Sequence, residues 1–201
     1  MDTALILAGG ESARFGRPKA LVDVGGKPMV SRVFDAVQPL AGEVIVAVAD
    51  AGMAAAMKPT VPLVKFAVDR RRGVGPIEGL ARGFSVALGD RVLVAPCDAP
   101  LLRAEMYRLL LTDLGDHDVA VPRLDVLDPV RAVYRKTAVL RILAKATEPV
   151  PSPSALVDRL DAVFVSEERL RSVDPRLDSF LDVNTHADLD QALRRMKTPA
   201  D

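Results

Sequence analysis

Thr3-Ala4-Leu5-Ile6-Leu7-Ala8-Gly9-Gly10-Glu11-Ser12-Ala13-Arg14-Phe15-Gly16-Arg17-Pro18-Lys19 is an apolar run that breaks at a glycine pair and then gathers three cations. A short run without polar alternation, closed by glycine, is the pattern of a strand buried on both faces, and such strands belong to parallel sheets. Downstream, Met29, Val30, Val33, Phe34 and Val37 recur at helical spacing, Pro39 stops them, and Glu43 to Val48 starts a second buried strand. Together these segments predict one βαβ unit.

The alternation continues along the chain. Val64 to Val68 reads as a strand, Ile77 to Leu88 as a helix, Arg91 to Ala95 as a strand and Leu101 to Leu114 as a helix. Asp118 to Val121 and Val130 to Tyr134 follow as strands, then a helix over Thr137 to Ala146, a helical turn and strand over Leu156 to Val165, and a last helix over Asp188 to Met196. Pro149, Pro151 and Pro153 mark a turn rather than a linker. The expected fold is a three-layer α/β/α sandwich around a mostly parallel sheet, with residues 1–201 as one domain. Ligands in such folds bind at the carboxyl ends of the strands.

Composition narrows the function. The 201 residues are 49% hydrophobic and 27% charged, an ordinary globular mix that disfavours a disordered chain. Twenty-seven Lys and Arg balance 27 Asp and Glu, so the general attraction used by nucleic-acid and membrane-surface binders is missing and any anion site must be local. Charge or proline interrupts every apolar stretch well short of the roughly 20 residues of a membrane span. The single Cys97 closes no intramolecular disulfide, and no basic segment precedes a signal-like stretch. A cytoplasmic protein without nucleic-acid or membrane partners is expected.

The loop after the first strand carries the most chemistry. Its glycines let backbone N–H groups approach an anion, and Arg14, Arg17 and Lys19 bring positive charge, a combination suited to a triphosphate. The spacing fits neither the Rossmann fingerprint nor the P-loop. The segment Leu-Ala-Gly-Gly-x-Ser-x-Arg-x-Gly-x-x-Lys, with Gly75-Pro76, Pro96-Cys97-Asp98-Ala99-Pro100 and Asp182-Val183-Asn184-Thr185 following in order, resembles the molybdenum cofactor guanylyltransferases. That resemblance implies a Rossmann-like fold of the nucleotide-diphospho-sugar transferase type. It also implies transfer of GMP from GTP to the terminal phosphate of molybdopterin with release of pyrophosphate. GTP is then substrate, Mg²⁺ cofactor and molybdopterin acceptor, with cofactor-inserting and cofactor-accepting proteins as partners. By the same resemblance Leu7, Ala8, Gly9, Gly10 and Asp69 meet the nucleotide, and Lys19 meets its phosphates. Gly10, where related cytidylyltransferases more often carry Leu-Ala-Ala-Gly, favours guanine.

Asp98 ends a buried strand where such sheets bind ligands, which leaves a metal ligand and an N-cap for the helix near Leu101 both open; the resemblance implies that it holds Mg²⁺ and touches the nucleotide. Arg14, Lys19 and Asp98 form the expected catalytic set. Asp182 departs from the asparagine usual in the family, which leaves two roles open, a second metal ligand or an acceptor contact. Asn184 either faces the acceptor or belongs to a helix cap. Asp182 and Asn184 share one side of an extended segment. Cys97, His117 and His186 join no zinc-binding or triad spacing, and no chemistry is expected of them. Arg70 to Arg72 form either a solvated charge run or a phosphate-facing one. Cytidylyl transfer to the same pterin, nucleotidyl transfer to a sugar phosphate, and a non-catalytic nucleotide-binding regulator or adaptor are the rival functions.

Overall fold

The structure is a computed structural model, and it describes residues 1–9, 15–71, 73 and 75–198. Its strands are β1 (Thr3–Leu7), β2 (Glu43–Val48), β3 (Lys65–Val68), β4 (Arg91–Pro96), β5 (Val119–Arg123), β6 (Val133–Arg135) and β7 (Ala162–Ser166). The helices are α1 (Met29–Val37), α2 (Ala51–Met57), α3 (Pro76–Val86), α4 (Ala104–Asp113), α5 (Lys136–Lys145), α6 (Pro153–Val157), α7 (Glu167–Arg171) and α8 (His186–Lys197). The strands form one sheet in the order β3-β2-β1-β4-β6-β5-β7.

β1 lies between β2 and β4 and is parallel to both, with Leu5 opposite Ile45 on one side and Val94 on the other. Period-two alternation divides the core into two layers. Ala4, Ile6, Val44 and Val46 pack with Val33, Met106 and Leu110 from α1 and α4. Leu5, Ile45 and Val94 turn to the opposite face and pack with Leu80, Phe84 and Val139 from α3 and α5. The expected three-layer α/β architecture is therefore present. α3 comes so close to β1 that a Cβ on Gly83 would lie 2.3 Å from a Leu5 methyl, so only glycine fits there.

The sheet is mixed. β6 runs antiparallel to β4 and β5, whereas β5 and β7 are parallel. The reason is the length of residues 124–132: a parallel return needs a crossover of about a dozen residues or more. β6 also begins at Val133 instead of Val130, because residues 128–131 form a turn in which the Arg131 N–H donates to the Asp128 carbonyl at 3.2 Å. α2 is an addition to the sequence-derived elements, with Asp50 as its N-cap accepting from the Met53 N–H at 2.9 Å. A third cluster, Val22, Val24, Met29, Val183 and Ala192, packs α8 and the segment before it against the start of α1. No described helix is long and apolar enough to cross a membrane.

Candidate active site

A cleft of about 680 Å³ opens at the carboxyl ends of β1 to β4, where a parallel sheet directs its loops. Leu7 and Gly9 reach it from β1, Asp69 from β3, and Cys97 and Asp98 from β4. Ala8, between Leu7 and Gly9, points its methyl into the core beneath α1 and α4 and gives its N–H to the Ala47 carbonyl at 2.8 Å. Gly10 and Arg14 lie outside the described residues.

Lys19 stands at the centre of the polar wall. It sits in a 3-10 turn, Lys19–Leu21, and its ammonium donates to Asp98 Oδ2 at 2.5 Å and to Asn184 Oδ1 at 2.6 Å. Three expected site residues, far apart in sequence, thus share one charge-assisted network. Asp98 does not cap the following helix. α4 starts at Ala104 with Arg103 as its N-cap, and the Arg103 N–H is served by Ser179 Oγ at 3.0 Å. The two roles open for Asn184-Thr185 are divided between the residues. Thr185 caps α8 in a capping box with Asp188, while the Asn184 side chain turns to Lys19.

Asp182 and Asn184 both line the cleft, as their spacing requires, while Val183 between them is buried and gives its N–H to the Asp98 carbonyl at 2.9 Å. Asp182 Oδ1 accepts from Arg131 Nη2. Burial pushes the Asp182 carboxyl above its ordinary value; Arg131 acts to lower it and Asp98 to raise it further. Arg131 is 3% exposed and was not among the expected site residues. The signal was an arginine inside the apolar run Val130 to Tyr134, where a charge persists only with partners.

Asp69 closes the opposite end of the cleft. Its Oδ1 is buried and has no hydrogen-bond partner among the described residues. Burial, reinforced by Glu78 and partly opposed by Arg82, raises its carboxyl above the ordinary value. Gly9 and Gly79 flank the carboxylate: a Cβ on Gly9 would lie 3.5 Å from Asp69 Oδ2 and one on Gly79 3.9 Å from Oδ1. Arg71 is held by buried Glu78 through Nε at 3.1 Å and Nη2 at 2.9 Å, and Arg72 lies outside the described residues. The Cys97 thiol is pushed up to about 12 by burial and then by the charge of Asp98, which leaves it protonated and without nucleophilic character at neutral pH.

Residues 4–178 match the model of the MobA-like NTP transferase domain. The chain belongs to that family. As a MobA-like NTP transferase it is a nucleotidyltransferase. It is 32% identical over 193 residues to a probable molybdenum cofactor guanylyltransferase of Pelotomaculum thermopropionicum, covering 94% of this chain and 91% of that one. It is 31% identical over 204 residues to the molybdenum cofactor guanylyltransferase of Desulfosudis oleivorans, covering 97% and 96%. Among solved structures, molybdopterin-guanine dinucleotide biosynthesis protein A from Archaeoglobus fulgidus superposes with a TM-score of 0.81 at 26% identity, over 98% of this chain and 99% of that one. The fold alone is shared with the 2-C-methyl-D-erythritol 4-phosphate cytidylyltransferase of Thermus thermophilus, with a TM-score of 0.74 at 19% identity over 98% of this chain and all of the other.

Proposed function

We propose that this MobA-like transferase moves GMP from GTP onto the terminal phosphate of molybdopterin and releases pyrophosphate. The observation that carries the reading is the Lys19–Asp98–Asn184 network at the mouth of the cleft, in a chain whose relatives are named for guanylyl transfer to this cofactor. The two ends of the cleft suit the two substrates. Unpartnered Asp69 Oδ1 takes a donor from the guanosine, and the wall containing Asp182 and Asn184 faces the acceptor.

The donor set also fits Mg²⁺. Among the described residues no three His, Cys, Asp or Glu side chains gather to cage a metal by themselves. Mg²⁺ is, however, usually bound through one or two carboxylates with substrate phosphates and waters completing its shell. Asp98 would hold it, while Asp182, engaged by Arg131, is left to the acceptor side. Bound there, the ion supplies charge stabilisation to the phosphates.

Lys19 leaves Asp98 and Asn184 for the triphosphate and, with Arg14, stabilises charge that develops as the acceptor phosphate attacks the α-phosphorus and the bond to pyrophosphate breaks. The attacking phosphate is already ionised at neutral pH. No general base is therefore required for the attack.

Thermal denaturation with Mg²⁺ and each of GTP, CTP, UTP and ATP, followed by transfer of label from α-labelled GTP to molybdopterin, tests the reading. GTP at 100 times its dissociation constant should add about 2.7 kcal/mol, and only GTP should support transfer. An equal response to all four nucleotides, or binding without turnover, contradicts it; the second outcome would favour a non-catalytic regulator.

A further inference from the structure

Arg131 is a buried guanidinium that joins its own loop to the segment 179–182. Nε donates to the Ser179 carbonyl at 2.8 Å, Nη1 pairs with Asp128, and Nη2 pairs with Asp182. Its Cζ also lies 5.5 Å from the centroid of the Phe180 ring. The connection between β5 and β6 is thereby tied to the segment that delivers Asp182 and Asn184. Asp128 alone would balance the charge of Arg131. Asp182 therefore adds one net negative charge, and its half-exposed carboxylate is the end of the network that reaches the cleft.

The pairing makes Asp182 one-sided. Oδ1 is committed to Arg131, which leaves Oδ2 for the cleft, and an ionised carboxylate can only accept hydrogen bonds. An asparagine at this position would behave differently beside Arg131. Its carbonyl oxygen is the only atom able to accept from Nη2, so its NH₂ group would be turned outward. The same wall would then offer a donor in place of an acceptor.

We infer that Arg131 is a positioning residue that fixes residue 182 with an acceptor-only face toward the acceptor substrate, and so selects a substrate bearing an N–H or O–H donor beside its attacking phosphate. The inference rests on the reading of this wall as the acceptor side. Arg131 touches no reacting atom and acts through Asp182.

Three proteins test it: the wild type, Asp182→Asn, and the triple variant Arg131→Met, Asp128→Asn, Asp182→Asn. Asp128 is included because removing Arg131 alone would leave that carboxylate buried without its counter-ion. KM and kcat for molybdopterin are measured with GTP saturating, alongside GTP affinity by calorimetry. Asp182→Asn should raise the acceptor KM about 10- to 100-fold, with GTP affinity unchanged, because a donor now confronts a donor. In the triple variant the amide is free to rotate its oxygen into the cleft, so the KM should recover at least about fivefold relative to Asp182→Asn. A triple variant no better than Asp182→Asn, or an Asp182→Asn KM equal to wild type, overturns the inference. The second comparison stands even if the triple variant does not fold. Absence of transfer by the wild type itself defeats the proposed reaction, and the inference with it.

Discussion

The two ends of the central sheet carry carboxylates of opposite character. At the amino end, Glu43 is fully engaged: Thr3 Oγ1 donates to it at 2.7 Å, Lys65 Nζ at 3.0 Å, and the Leu88 N–H donates as well. Burial alone would raise the Glu43 carboxyl, but these three donors outweigh burial and lower it. At the carboxyl end, Asp69 has a buried oxygen with no partner, and its carboxyl is raised. Both acids sit beside the same parallel strands. A carboxylate whose donors come from the fold serves the fold, whereas one deprived of donors is prepared for a ligand, since an unsatisfied buried acceptor costs about 1–3 kcal/mol.

Substitutions at the two ends should therefore separate catalysis from stability. The largest effect is expected at the carboxyl end, from Asp98→Asn. With Asp98 holding a phosphate-bound cation as proposed, its neutralisation should lower the transfer rate by about 10²- to 10³-fold, while the thermal midpoint of the free protein stays close to wild type. A rate near wild type in a steady-state assay would remove Asp98 from the catalytic set.

A smaller effect of the opposite kind is expected from Glu43→Gln. Weakening a buried, charge-assisted network should cost about 1–3 kcal/mol of stability at pH 7 and leave the transfer kinetics unchanged. The loss should depend on pH in a defined direction. A carboxyl whose folded value is lowered stabilises the fold above its ordinary value of 4.5, and that contribution disappears as pH falls through the lowered value. Denaturant melts of both proteins should therefore differ at pH 7 and converge in acid. A gap that widens toward acid would contradict the account.

Much of this contrast was legible in the sequence, for physical reasons. Residues 4–8, 44–48 and 92–95 are apolar on both faces because central parallel strands are covered on both sides, and that pattern also located the ligand-binding edge. The antiparallel β6 was not visible in composition; only the shortness of residues 124–132 implied it. α2 escaped because Ala51-Gly52-Met53-Ala54-Ala55-Ala56-Met57 lacks the polar alternation that reveals an amphipathic helix, although Asp50 before it is a serviceable cap. The Lys19–Asp98 and Lys19–Asn184 contacts span 79 and 165 positions, so local spacing could not disclose them. Resemblance and the strand-end rule named the residues; the fold supplied their contacts. Arg131 lies 51 positions from Asp182 and belonged to no motif.

In the proposed reaction the unpartnered oxygen of Asp69 is where the nucleotide binds. Calorimetric titration of GTP with Mg²⁺ into wild type, Asp69→Asn and Glu43→Gln compares the two ends of the sheet in one experiment. Asp69→Asn should lower GTP affinity about tenfold, as expected when a charged hydrogen-bond acceptor is neutralised, and Glu43→Gln should leave it unchanged. Equal affinities in all three proteins, or a loss confined to Glu43→Gln, would contradict the assignment of the carboxyl-end cleft as the nucleotide site.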